Sequence, residues 1–77
     1  MNKERRKMLQ DIIDKLDEQR LEIESVQEEE QEAYDNLPES IQYSERGETM
    51  SENIDELESA VSDLEDIIST LQEIVER

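Results

Sequence analysis

The sequence contains no cysteine and no histidine among its 77 residues. Without cysteine there is no disulfide, no thiolate zinc site and no thiol nucleophile. Without histidine the usual general base is missing, and a Ser/His/Asp triad cannot be built. Glycine and proline occur once each, as Gly47 and Pro38, so strong backbone punctuation is confined to one region. The aromatic residues are two tyrosines, Tyr34 and Tyr43, in or beside that same region. No run approaches the roughly 18 apolar residues of a transmembrane helix. The N-terminus lacks the apolar core of a secretory signal, so a cytoplasmic location is expected.

Positive charge is also scarce, with 8 basic residues against 24 acidic ones and a net charge of −16. The imbalance is uneven. Residues 1–7 hold Lys3, Arg5, Arg6 and Lys7 against Glu4, while residues 8–77 carry four basic and 23 acidic groups. A field of this sign repels nucleic acid and anionic membranes and attracts basic protein surfaces. Such a composition borders on disorder. Leu, Ile and Val nevertheless supply 18 of the 77 residues, and they are periodic rather than scattered. A folded helical state is therefore expected, with a salt-sensitive stability because screening weakens the self-repulsion.

The strongest pattern lies in the last third. Ile54, Val61, Ile68 and Val75 alternate with Met50, Leu57, Leu64 and Leu71 in steps of three and four. They form the a and d positions of an unbroken heptad seam, which packs one helix along another. The first third carries a looser seam. Leu9, Leu16, Ile23 and Leu37 read as one row, with Ile12, Val26 and Ala33 as its companion. Gln19 and Glu30 interrupt these rows, Ile13 widens the stripe, and Leu21 lies outside it. Polar residues at seam positions cost stability but can fix register.

Between the seams stands the break around Pro38 and Gly47. Proline disfavours helical geometry at Leu37 and lacks a backbone donor. The spacing predicts helices over about residues 2–35 and 49–76, joined by a connector over about 36–48. The second helix could start at Ser44 or at Thr49, where Thr49 and Glu52 have capping-box spacing. At 1.5 Å per residue the two helices would be about 51 and 42 Å long. Similar lengths around a short break predict an all-α fold, an antiparallel hairpin forming a single domain. The hairpin also explains the basic N-terminus, which is the wrong helix end for positive charge. Antiparallel packing sets it beside the end of the second helix, with Glu73 and Glu76.

Ala60, Ile67 and Ile74 lie beside the second seam and widen it beyond what one partner helix covers. A homodimer, in the form of a four-helix bundle, is expected. Its interface is drawn from Leu57, Ala60, Val61, Leu64, Ile67, Ile68, Leu71 and Ile74.

Three chemical readings compete. Glu29 and Glu32, with Glu52 and Asp55, resemble the ExxE and ExxD magnesium signature of all-α nucleotide pyrophosphohydrolases. With 24 acids in the chain this match is expected by accident, so no enzyme activity, catalytic residue, metal or cofactor is assigned. A second reading is nucleic-acid mimicry: the charge of −16 along a rod of this length approaches the density of a single strand. A third places binding in the connector, where Tyr34, Leu37, Ile41 and Tyr43 are more apolar than a solvated turn requires. These four could equally cap that end of the hairpin core. The acids of residues 22–32, with Glu28, Glu29 and Glu32 as the candidate contacts, are either a solvated face or a surface for a basic partner.

The connector carries a resemblance. Glu32-Ala33-Tyr34-Asp35-Asn36-Leu37-Pro38-Glu39-Ser40, followed by Ser44-Glu45-Arg46-Gly47-Glu48, resembles a family of small acidic helical proteins of Gram-positive bacteria and their phages. The resemblance implies a mobile-element setting and the host cytoplasm, and it transfers no active site. By analogy it favours a protein-binding module that inhibits a basic host protein, with a self-associating structural module as the alternative.

Overall fold

The structure, a computed structural model, describes residues 1–77. The chain folds as two long helices and one short turn of helix: α1 (Lys3–Asp35), α2 (Glu39–Gln42) and α3 (Glu45–Glu76). The long helices pack antiparallel as a hairpin of 58 × 15 × 12 Å. No helix is long and apolar enough to cross a membrane.

Each long helix opens on a side-chain cap. Asn2 accepts a hydrogen bond from the backbone N–H of Arg5 at 2.8 Å, satisfying one of the unpaired donors of the first turn. Ser44 does the same for α3, accepting from Gly47 N–H at 3.4 Å. Its hydroxyl in turn donates to the carbonyl of Ile41, which ties the start of α3 to α2. The helix therefore begins at Glu45, four residues before Thr49. Thr49 lies inside it, donating its hydroxyl to the Glu45 carbonyl at 3.0 Å, so the Thr49 and Glu52 box is not used. Ser44→Ala should cost about 1 kcal/mol of folding stability and Thr49→Ala only a few tenths. Denaturant titration of both variants at one protein concentration checks this, and equal losses would contradict the cap at Ser44.

The α3 seam is the expected one. Ile54, Val61 and Ile68 are buried, and Met50, Leu57, Leu64, Leu71 and Val75 are half-buried. The α1 seam differs. The row of Leu9, Leu16, Ile23 and Glu30 faces α3, but its companion is Arg6, Ile13, Arg20, Gln27 and Tyr34. The expected companion row is on the outside: Ile12 is 44% exposed and Val26 53%, and Gln19 and Ala33 are exposed too. Ile13, by contrast, is the most buried side chain of the chain at 3%.

Arg20 fits this inner row. It donates to Asp17 at 2.9 Å and to Glu24 at 3.0 Å on its own helix, and it approaches Glu65 of α3 at 3.5 Å. Its stem runs along the seam while its guanidinium reaches the rim, an arrangement open to arginine but not to a shorter polar residue. The hydrogen bond to Asp17 raises the Arg20 pKa above its ordinary value, against the lowering effect of partial burial. Tyr34 anchors the other end of the same row, its carbonyl accepting from Gln42 Nε2 at 3.0 Å.

All three ion pairs of the chain centre on Arg20. The expected match between the basic N-terminus and the end of α3 is reduced to one hydrogen bond, from Arg6 Nη2 to the Arg77 carbonyl at 3.2 Å. Lys3, Arg5 and Lys7 form no ion pair, and neither Glu73 nor Glu76 is used.

Candidate functional surfaces

Heptad position sorts the surface of the hairpin. Arg20 meets Glu65 on the flank that also holds Asp17 and Glu24, so this flank of α1 faces the matching flank of α3. Four acids lie along it: Asp17, Glu24, Glu58 and Glu65. The two outermost rows point away from the seam. They are residues 4, 11, 18, 25 and 32 of α1 and 45, 52, 59, 66 and 73 of α3, and eight of these ten are Asp or Glu.

The opposite flank is of another kind. It brings together residues 5, 12, 19, 26 and 33 of α1 and 46, 53, 60, 67 and 74 of α3. None of the ten is acidic, in a chain with 24 acids. Its apolar members are Ile12, Val26, Ala33, Ala60, Ile67 and Ile74. Ile67 is 52% exposed, and Met8, on the adjoining row, is 63% exposed. Met1, Met8, Leu9 and Ile12 with Arg5 line one shallow depression at the open end, and Ile67 and Leu71 with Asp66 and Thr70 line another. Five of the six apolar members are exposed and Ile74 is half-buried, and Arg5, Gln19, Arg46 and Asn53 complete this strip along one broad face.

The residues expected at a dimer interface therefore divide. Val61 and Ile68 are buried against α1, and Leu57, Leu64 and Leu71 are half-buried in the same seam. Val61 and Ile68 belong to the intramolecular core, while Leu57, Leu64 and Leu71 keep part of their surface outside it, Leu71 beside Ile67. Ala60 and Ile67 remain on the outside with Ile74 half-buried beside them, joined by Ile12 and Val26 of α1. The sequence signal for these last two was their apolar character. It was misread because they stood one position from residues that fill the seam.

At the connector, Tyr34, Leu37 and Ile41 are half-buried and close the end of the core, while Tyr43 is 77% exposed. Tyr34 and Tyr43 border a shallow groove with Gln42, Glu48, Ser51 and Glu52. Glu28, Glu29 and Glu32 are exposed. Glu28 and Glu32 line a carboxylate-rich groove on α1 with Glu24, Gln27, Gln31 and Asp35.

No three acids converge closely enough to hold a metal ion. Glu29, Glu32, Glu52 and Asp55 are all exposed and do not form a common site. Comparison with family models, curated proteins and solved structures finds no significant match.

Proposed function

We propose that the chain is a protein-binding module that pairs with a second copy and presents its carboxylates to a basic protein surface. The observation that carries this reading is the sorting of charge: eight acids on the ten outermost positions, none on the ten of one broad face. A helical protein that needed only solubility would have no reason to keep one face free of acids.

The exposed area supports the pairing. The hairpin exposes 5949 Å². A compact monomer of its 9.1 kDa mass would expose about 4,900 Å². The excess of roughly 1,000 Å² is of the order that one partner buries in a standard interface, about 800 Å². Two hairpins facing each other through the acid-free strip make a four-helix bundle, the expected oligomer.

Charge density supports the choice of target. Sixteen net negative charges over 58 Å is one per about 3.6 Å, near the 3.4 Å spacing of one nucleic-acid strand. A bundle of the same length carries one per about 1.8 Å, close to the 1.7 Å of duplex DNA. A basic protein surface built to hold nucleic acid is the partner this rod suits. An acidic phage-type inhibitor of a host DNA-binding protein is one such module. No catalysis or cofactor enters this reading. A narrower reading, self-association alone, rests on the same acid-free face.

Two measurements test it. Sedimentation equilibrium should give twice the 9.1 kDa chain mass, and Ile67→Glu should return it to the chain mass. A wild-type monomer would overturn the pairing. In competition, the protein should displace labelled duplex from a basic DNA-binding domain at low salt and progressively less as salt rises. Ile67→Glu, a monomer with no less charge, should compete more weakly. Equal competition by polyglutamate of the same charge would show that charge alone acts, and would leave self-association as the function.

A further inference from the structure

We infer that the two hairpins pair end for end, each connector lying beside the open end of its partner, with Gln19 of the two copies meeting at the two-fold axis. This rests on the pairing proposed above and adds its orientation.

A two-fold bundle of hairpins that meet through one face has two solutions. In one, both connectors lie at the same end and α1 packs on the partner's α3. In the other the connectors lie at opposite ends, and α1 packs antiparallel on its own copy. Both bury the same acid-free strip. Burial of apolar area is not directional and does not strongly separate them. Charge does depend on placement.

The hairpin is polarised along its length. The connector half, residues 22–62, holds 14 acids and a single base, Arg46. The open half, residues 1–21 and 63–77, holds 10 acids and seven bases. Arg20 is the one of those bases that forms ion pairs; Lys3, Arg5, Arg6, Lys7, Lys15 and Arg77 form none. With the connectors together, the two acidic halves would lie against each other, separated by much less than their own length. With the connectors apart, each acidic half lies beside the partner's unpaired bases.

The rows bordering the interface sharpen the choice. Beside the strip stand Met8, Lys15 and Thr70 in the open half, but Glu22, Glu29, Glu56 and Asp63 around the middle and connector half. Connectors together would bring these acids against one another. End-for-end pairing about Gln19 sets Lys15 against the partner's Glu22, and by symmetry the reverse. It also sets Ile12 opposite the partner's Val26, and Arg5 opposite the partner's Ala33. On α3 it faces Ala60 with the partner's Ile67 and Glu56 with the partner's Thr70, leaving Asp63 as the one bordering acid that meets its own copy. Arg20 and Glu65 lie level across the hairpin, so both centres fall at about the same height. Like charges directly opposed destabilise, and opposed unlike charges select orientation.

The chain has no cysteine, so introduced thiols report without background. Gln19→Cys should form a disulfide-linked dimer on mild oxidation. Ala33→Cys alone should not, because its two copies would stand about 42 Å apart along the axis at 1.5 Å per residue. Mixed with Arg5→Cys, it should give the mixed dimer. Mass in solution is read on the same samples before oxidation. A dimer in which Gln19→Cys fails to cross-link overturns the orientation and leaves the pairing standing. A monomeric mass overturns both.

Discussion

Ile13→Ala should remove about 3 kcal/mol of folding stability, near the middle of the range for truncating a buried isoleucine. Its neighbour should behave differently: Ile12→Ala should cost less than about 1 kcal/mol in the isolated hairpin, because Ile12 is already 44% exposed there. Ile13 is 3% exposed and is the one fully apolar buried side chain that α1 contributes. Opposite it, α3 buries Ile54, Val61 and Ile68. A domain of this size has a total stability of about 4–12 kcal/mol, so the loss of Ile13 takes a large share. The two variants also differ in how concentration acts. The Ile13→Ala loss should persist at every protein concentration. Any loss from Ile12→Ala should appear when the hairpins are paired and fade on dilution to monomer. Denaturant unfolding over a hundredfold range of concentration separates the two. Equal losses at high dilution would mean that α1 is rotated about its axis from the orientation described.

That rotation marks where sequence reasoning stopped short. The α3 seam was readable because its inward rows are uniformly apolar and its neighbours, Ala60 apart, are polar until Ile67. Periodicity then has a single solution. On α1 the row of Leu9, Leu16 and Ile23 is flanked by two rows of similar apolar content. One offers Ile12, Val26 and Ala33, the other Ile13 and Tyr34. Counting apolar residues favours the first. The structure uses the second, where Arg20 bridges Asp17 and Glu24 of its own helix and approaches Glu65 of α3. The approach to Glu65 is a tertiary contact, invisible to a pattern read along one helix. The spare row is then left on the outside of the hairpin, and like the row that the structure uses it contains no acid.

The polar residues of the α1 seam have a related meaning. Gln27 and Glu30 are half-buried against α3 in the connector half, where apolar residues would add stability. The buried apolar side chains are spread along the hairpin, Ile13 and Ile68 in its open half and Ile54 and Val61 in its connector half. The connector half also holds the turn. Asn36, Leu37, Ile41, Gln42, Tyr43 and Ser44 each donate a backbone N–H to a carbonyl three or four residues back, and the Gln42 side chain reaches the Tyr34 carbonyl, so α2 forms a local knot between the two helices.

Gly47 holds that knot. Gly47→Ala should destabilise the protein by about 2 kcal/mol, within the range for overpacking a tight site. This runs against helix propensity, which would favour alanine over glycine inside α3 by about 1 kcal/mol. The backbone conformation of Gly47 is ordinary, without a positive φ, so no conformational freedom is at stake. The constraint is approach. A Cβ at Gly47 would fall 2.5 Å from the carbonyl oxygen of Ile41 and against the carbonyl of Gln42. Both neighbours are backbone, with no flexible side chain to move aside. Accommodating the methyl group means lifting α2 off the first turn of α3. That would strain the Ser44 bonds to Ile41 and Gly47 and expose Leu37 and Ile41. Hydrogen exchange should therefore quicken over residues 36–50 in Gly47→Ala, while amides around Ile13 and Ile68 keep their protection relative to the global stability. Glu48→Ala, one residue on and exposed, serves as the control and should leave exchange in this region unchanged. A Gly47→Ala protein as stable as wild type, or more so, would mean that α2 does not rest on α3. The single glycine is thus required by the closeness of two backbones, and the connector it closes sets the height at which α1 and α3 meet.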